Sequence, residues 1–456
     1  MAVRRVVLLV VALALVMLVA TLWRTTFATA APPRRPVAAA PADPDFPICE
    51  GQGTDACDER RPAVAYNPGV GEYLVVFQWD LAGPSNHDIM ALPVTAAGAV
   101  VGSPFCVACS AADDEEPAVA WNSKRNEYLV VWQRLEGPGD CDVYGKIIVH
   151  TSGAGTEFLI ARHRDDQLHP KVAYDLGSNQ YLVVWEDLDA DRTAPPNVYG
   201  VCVSENGTPE KVELTIAEEV GDQYRPSLAT NGSTDHWLVT WNDTRSGGPD
   251  VYGREVDSAV KCSVAGAAFP IGDGPGDAGV PAVAWGQVGA SGDGEFLTVW
   301  AEGSTMLARR IDGASFTPLG QPITVTHRSG VRAFPAVSFA DQQQEWWVVW
   351  EDLWGTDGPY IYGQRLLPDG TVPSEGVDQR VSKDPPSLAP SLLQERPAMA
   401  YNTTTPITAT GQALVAWGDH GHYDPSEAGY WGVWGRIWAP LHLRRAAFVP
   451  LVMRNY

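Results

Sequence analysis

The chain has 456 residues and sets 55 Asp and Glu against 32 Lys and Arg, for a formal net charge of −23. So acidic a body argues against nucleic acid and anionic membrane surfaces as partners and suits a soluble extracellular protein.

The first element is an export signal. Arg4 and Arg5 precede an apolar run from Val6 to about Trp23, and Ala28-Thr29-Ala30 offers a small-x-small cleavage site. Residues 1–30 therefore read as a signal peptide or, given the length of the run, as an uncleaved signal anchor. Membrane association follows only in the second case. Either way the body is exported, to the extracellular space or the cell surface. Residues 31–44 are rich in Ala and Pro and read as an extended linker.

From residue 45 to 438 one unit recurs seven times. Its copies begin at Pro62, Pro117, Pro170, Pro226, Pro281, Pro335 and Pro397, and such a period marks a repeat architecture. Each opens with a short apolar run such as Ala63-Val64-Ala65-Tyr66. A polar turn opened by Asn or Asp follows (Asn67, Asn122, Asp175, Asn231, Asn402). Next come five residues rich in Val and aromatics, such as Tyr128 to Trp132, which read as a buried strand. A third strand has the pattern Asp142-Val143-Tyr144-Gly145, and a fourth is typified by Phe158-Leu159-Ile160. The small residue of the third strand (Ala91, Gly145, Gly200, Gly253, Ala308, Gly363, Gly435) predicts close packing over it by the aromatic ending the second strand.

Four short strands per unit, repeated radially, predict an all-β fold: a seven-bladed β-propeller of four-stranded blades. Copy seven has no clear fourth strand after Trp438. Phe46-Pro47-Ile48-Cys49 closely resembles Phe269-Pro270-Ile271-Gly272, so the N-terminal strand is expected to complete the last blade and close the ring. The tail, 439–456, resembles the short endings of some exported bacterial proteins, a sorting signal, or is a frayed terminus.

Seven cysteines in an exported chain permit disulfides and leave at least one unpaired. Cys49–Cys57 and Cys109–Cys141 are the expected pairs, and Cys106-x-x-Cys109 lacks the second Cys/His pair that a metal site needs.

Acidic residues recur around one face. Asp58, Asp113, Asp166, Asp222 and Asp277 precede repeat prolines, while Asp80, Asp187, Asp243, Glu302, Asp352 and Asp419 follow the second strand. Recurrence favours a structural role, because a catalytic group is needed once. The functional reading is a carboxylate ring holding cations, or a pair acting as acid and base on a glycoside. No cofactor is called for. Calcium at Asp187-x-Asp189-x-Asp191 has the start of a loop without its Gly and distal Glu. Gly274-x-Gly276-x-x-Gly279 leads into a strand, so the dinucleotide context is absent.

Copies six and seven carry unusual loops between their second and third strands, which bring Trp354, Tyr360, His420, His422 and Tyr423 to one face, as a sugar or peptide site would need. Packing between those loops is the alternative. His420-x-His422 near Asp419 and Asp424 is also a metal candidate, one without a clear third ligand.

Tyr181 to Asp187 paired with Asp250 to Arg254 resembles a repeat of bacterial secreted and surface β-propeller proteins, most without assigned activity. That resemblance implies architecture and no catalytic residues. The expectation is thus a monomeric, non-enzymatic binding or adhesion propeller, its ligand a polysaccharide or an extracellular protein. A carbohydrate-active enzyme, hydrolase or lyase, using acidic residues at the channel mouth is the alternative, and a structural envelope protein the third reading.

Overall fold

The structure, a computed structural model, describes residues 45–439 apart from 50–57, 81–85, 189–193, 259–261, 289–293, 354–359, 375–377, 383–392, 404–411, 421–430 and the positions 165, 211, 233–234 and 329. The leader, the linker and the tail from 440 lie outside the described residues.

Seven four-stranded antiparallel sheets make up the described chain, with no helix among the described residues. Blade two shows the plan. Its strands Asp113–Asn122, Glu127–Gly137, Asp140–Ile148 and Glu157–Ala161 pair in sequence order from the channel outward. The first hairpin turns as the Asn positions predict: Asn122 Oδ1 accepts the backbone N–H of Lys124 and of Arg125, each at 3.0 Å.

The last blade is completed from the N-terminus. Phe46–Cys49 pairs with Trp431–Trp438, Phe46 opposite Gly435, so the chain's first strand lies beside its last. Arg436 Nε donates to Asp45 at 2.6 Å and Ile48 is buried, giving the closure both a polar and an apolar hold.

The core is a set of seams between neighbouring blades. One joins Leu129, Val131 and Val143 of blade two to Tyr181, Val183 and Trp185 of blade three. The seam between blades seven and one joins Leu414, Ala416 and Val433 to Tyr73, Val75 and Phe77, with Ile48 among them. Each blade therefore buries both faces against its neighbours, which is why the second strands read as unbroken apolar runs.

The small third-strand residue does sit under close packing, from a different source than expected. A Cβ on Gly145 would come within 2.7 Å of Ile160, one on Gly253 within 2.7 Å of Ile271, and one on Gly435 within 2.7 Å of Ile48. The fourth-strand isoleucine covers the glycine because it is the next strand outward. The second-strand Trp is occupied in the seam.

The cysteine pairing also differs. Cys106 joins Cys109, and Cys202 joins Cys262 across 60 residues of chain, while Cys141 is buried and free. Cys141 is held within its strand opposite Leu135, its N–H given to Asp166, so it does not reach Cys109. Cys57 lies outside the described residues.

Ile48→Ala should lower unfolding free energy by about 2–5 kcal/mol, as other buried Ile→Ala changes do. Urea denaturation of the purified protein reads it, and an unmoved midpoint would mean that the ring does not depend on this strand.

Candidate functional site

The acidic residues of the face are largely structural. The indole N–H of Trp241 donates to Asp243 at 2.9 Å, and Trp185, Trp300, Trp350 and Trp417 each reach the acid two residues on at 3.3 or 3.4 Å. Blade two varies the theme, with Trp132 donating to Asp114 at 2.7 Å. These carboxylates satisfy a buried donor that would otherwise cost about 1–3 kcal/mol. Asp113 and Asp166 accept backbone N–H groups from the preceding blade, at His87 (2.8 Å) and Cys141 (3.1 Å).

The position that faces the channel is the one before each repeat proline. Arg61, Glu116, His169, Arg225, Phe334 and Arg396 all hold φ between 46° and 53°, a left-handed conformation rare for side-chain-bearing residues. Each sits in a β-bulge of its first strand, as the register breaks between Arg60 and Ala63 and between Glu115 and Ala118 show. Proline belongs there because a bulge is where a strand tolerates a missing N–H. The freed N–H of the preceding residue is taken up by the neighbouring blade: His169 donates to Gln133 (3.0 Å), Arg225 to Glu186 (3.1 Å) and Arg396 to Glu351 (3.3 Å).

This geometry builds a cup of about 350 Å³ in the channel. Its charged wall is Arg61, Glu116, His169, Arg225 and Arg396, with Lys171 beside them, and Val64, Val119 and Leu228 are among its apolar lining. Glu116 Oε1 lies 3.1 Å from Arg61, 3.0 Å from Arg396 and 3.6 Å from His169 Nδ1. Burial works to raise its pKa, but the His169 contact and the two guanidinium charges prevail and hold it well below the usual carboxylate range. Burial pulls the Lys171 pKa down, helped by Arg225, Arg396 and Arg61 and opposed by Glu116. The Arg396 guanidinium also stacks 4.7 Å from the Phe334 ring.

A second polar cluster joins blades one and two at their loops. His87 Nε2 is 3.0 Å from Asp80, while its Nδ1 is 2.5 Å from Asp113 and 3.1 Å from Glu115. The ligand atoms of His87, Asp113 and Glu115 lie within 4.8 Å of one another, close enough to share a metal ion. Burial opposes protonation of His87, yet the Asp80 and Glu115 hydrogen bonds and the Asp80 and Asp113 charges raise its pKa to about 10. The imidazolium is then itself the cation that the carboxylates surround.

Of the residues expected from the sequence, Trp354, His422 and Tyr423 lie outside the described residues, as does the His420 side chain, although His420 ends a strand opposite Leu393. Asp189, Asp191 and Asp424 are outside as well. Tyr360 opens the third strand of blade six opposite Asp352, its ring 3.6 Å from the Arg380 guanidinium, and is not among the cup's lining residues. Gly274 and Gly276 make room for the Glu302 carboxylate, whose Oε1 accepts the Gly276 N–H at 3.2 Å.

No protein-family model and no curated protein matches the chain. Solved structures do. A Hadza microbial sialidase is similar at 10% identity and TM-score 0.46 over 68% of this chain and 66% of that one, so the chain spans just under two thirds of its length. An alpha-L-arabinanase of Penicillium chrysogenum, complexed with arabinobiose, is similar at 9% identity and TM-score 0.47, over 72% of this chain and all of that one (100%). An alpha-L-arabinofuranosidase of Fusarium graminearum gives 11%, 0.42, 64% and 88%. The likeness is one of fold.

One expectation is corrected here. The expectation of a non-enzymatic binding or adhesion propeller is not carried forward, since the similar structures are a sialidase, an arabinanase and an arabinofuranosidase. The enzyme alternative is taken up below as a proposal.

The His87 network carries a pH signature. Because the folded pKa is raised above the unfolded value, its stabilisation is complete below about pH 6.5 and is lost as pH rises through about 10. Melting temperature should fall across that window in the wild-type chain and fall less in His87→Gln. Parallel curves for the two would remove the imidazolium from the clasp.

Proposed function

We propose that the chain is an exported carbohydrate-active enzyme, a glycoside hydrolase or lyase, that acts on a glycan at the channel cup. One observation carries the reading. The repeat holds its proline constant in all seven copies and varies the residue before it through Arg61, Glu116, His169, Arg225, Val280, Phe334 and Arg396. A purely architectural position would repeat like its neighbour.

The groups in the cup suit glycan chemistry. Glu116 is a carboxylate kept ionised by its surroundings, able to stabilise positive charge developing at an anomeric carbon. His169, 3.6 Å away, is the proton carrier of suitable type, and the arginines supply donors for hydroxyls. The cup falls in the size range of small-ligand sites, roughly 300–1,000 Å³. The cation and carboxylate mixture distinguishes it from a dry structural channel, whose lining would be apolar throughout.

Purified mature chain should release reducing ends, or unsaturated ends if a lyase, from at least one member of a polysaccharide panel. Glu116→Gln should lower kcat by about 100-fold or more with the far-UV spectrum preserved. Should that variant fold poorly, His169→Ala provides the same reading. Full activity in both variants, or no turnover across the panel, would overturn the proposal.

A further inference from the structure

The four cations of the cup are unevenly employed. Arg61 and Arg396 face Glu116, and Arg61 also lies 3.4 Å from Glu115. The Arg225 side chain, whose backbone N–H alone reaches Glu186, has no hydrogen bond or ion pair among the described residues, and neither has the Lys171 ammonium. Both lie where protein crowds the channel, so burial lowers the pKa of each. Glu116 favours the charged form of both, and Glu186 that of Arg225, but neither cation makes a direct ion pair, and both are half-buried with room to accept a ligand anion. The same cup lies in a chain of net charge −23, so four cations gathered around one lining carboxylate are a local reversal of the protein's charge.

We infer that Arg225 and Lys171 form an anion subsite that takes the carboxylate of an acidic sugar, one uronate-type residue of the glycan. This deepens the glycan reading and rests on it. A carboxylate fits a planar guanidinium fork through two parallel hydrogen bonds, while the ammonium serves as a point charge from a second direction. Glu116 limits how much negative charge the cup accepts, which favours a singly charged group over a multiply charged one. The acidic body acts the same way on the rest of the ligand. A densely charged polyanion is repelled along its length, whereas a single carboxylate inside the cup meets the cations that line it. The subsite therefore points to a sparsely carboxylated glycan or to an acidic residue at a chain end.

The test is calorimetric titration of the full mature chain with galacturonate and glucuronate, with galactose and glucose as neutral counterparts, and with inorganic sulfate. Uronates should bind at least about tenfold more tightly than the neutral sugars, the discrimination expected for hydrogen bonds to charged groups. Lys171→Met and Arg225→Gln should each lower uronate affinity about tenfold more than they lower neutral-sugar affinity. Two variants are used so that one poorly folded protein does not decide the outcome. Equal affinity for uronate and neutral sugar would overturn the subsite, as would sulfate binding as tightly as uronate. The two proposals fail separately: turnover of neutral glycans alone would sink the subsite and keep the enzyme, while uronate binding without turnover of any polysaccharide would keep the subsite and sink the enzyme.

Discussion

Every blade of this protein buries its apolar faces only against its two neighbours, so the fold is stable only as a closed ring. A four-stranded sheet of such short strands has nothing else to cover it. The seam between blades seven and one therefore has to be as well made as the others, and Ile48 from the chain's N-terminal strand is part of it. The large indoles in the seams bring one polar atom each into an apolar layer, and for the Trp that ends the second strand in blades three to seven the acid placed two residues on accepts that N–H. Most of the acids that follow the second strands are thereby tied to burying tryptophan.

The channel follows from the same constraint. Seven first strands converge on the axis, and a bulge in six of them turns an extra residue inward. Each left-handed residue costs about 1–3 kcal/mol, offset in part by the Gln or Glu side chain that the preceding blade offers to its N–H. Strain shared by six blades is a property of the scaffold. What differs between blades is the side chain that the scaffold presents, and that is where an ionised Glu116, His169, three arginines and Lys171 come together.

The architecture was legible in the repeat: strand count, blade count, the Asx turns and the N-terminal closing strand all follow from apolar runs, turn residues and the likeness of Phe46–Cys49 to Phe269–Gly272. The cup was not. Its signal, a changing residue before a constant proline, was present in the sequence. Yet a residue before proline is expected to be extended, and nothing local announces a left-handed bulge there. Attention to the loops of blades six and seven led instead to Tyr360, which lies in a third strand under Arg380. The cysteines failed for a related reason, since pairing depends on which strand each occupies, and Cys141 is locked in register opposite Leu135.

Periodicity alone determined that this chain builds seven four-stranded wedges and where each begins, because apolar pattern and turn chemistry act over a few neighbouring residues. The meeting of Arg61, Glu116, His169, Lys171, Arg225 and Arg396 was decided only by tertiary structure. Those residues come from five blades, up to 335 positions apart, and it is ring closure that brings them to one axis, where burial and mutual charge set which carboxylate is held ionised and which cations are left without a partner.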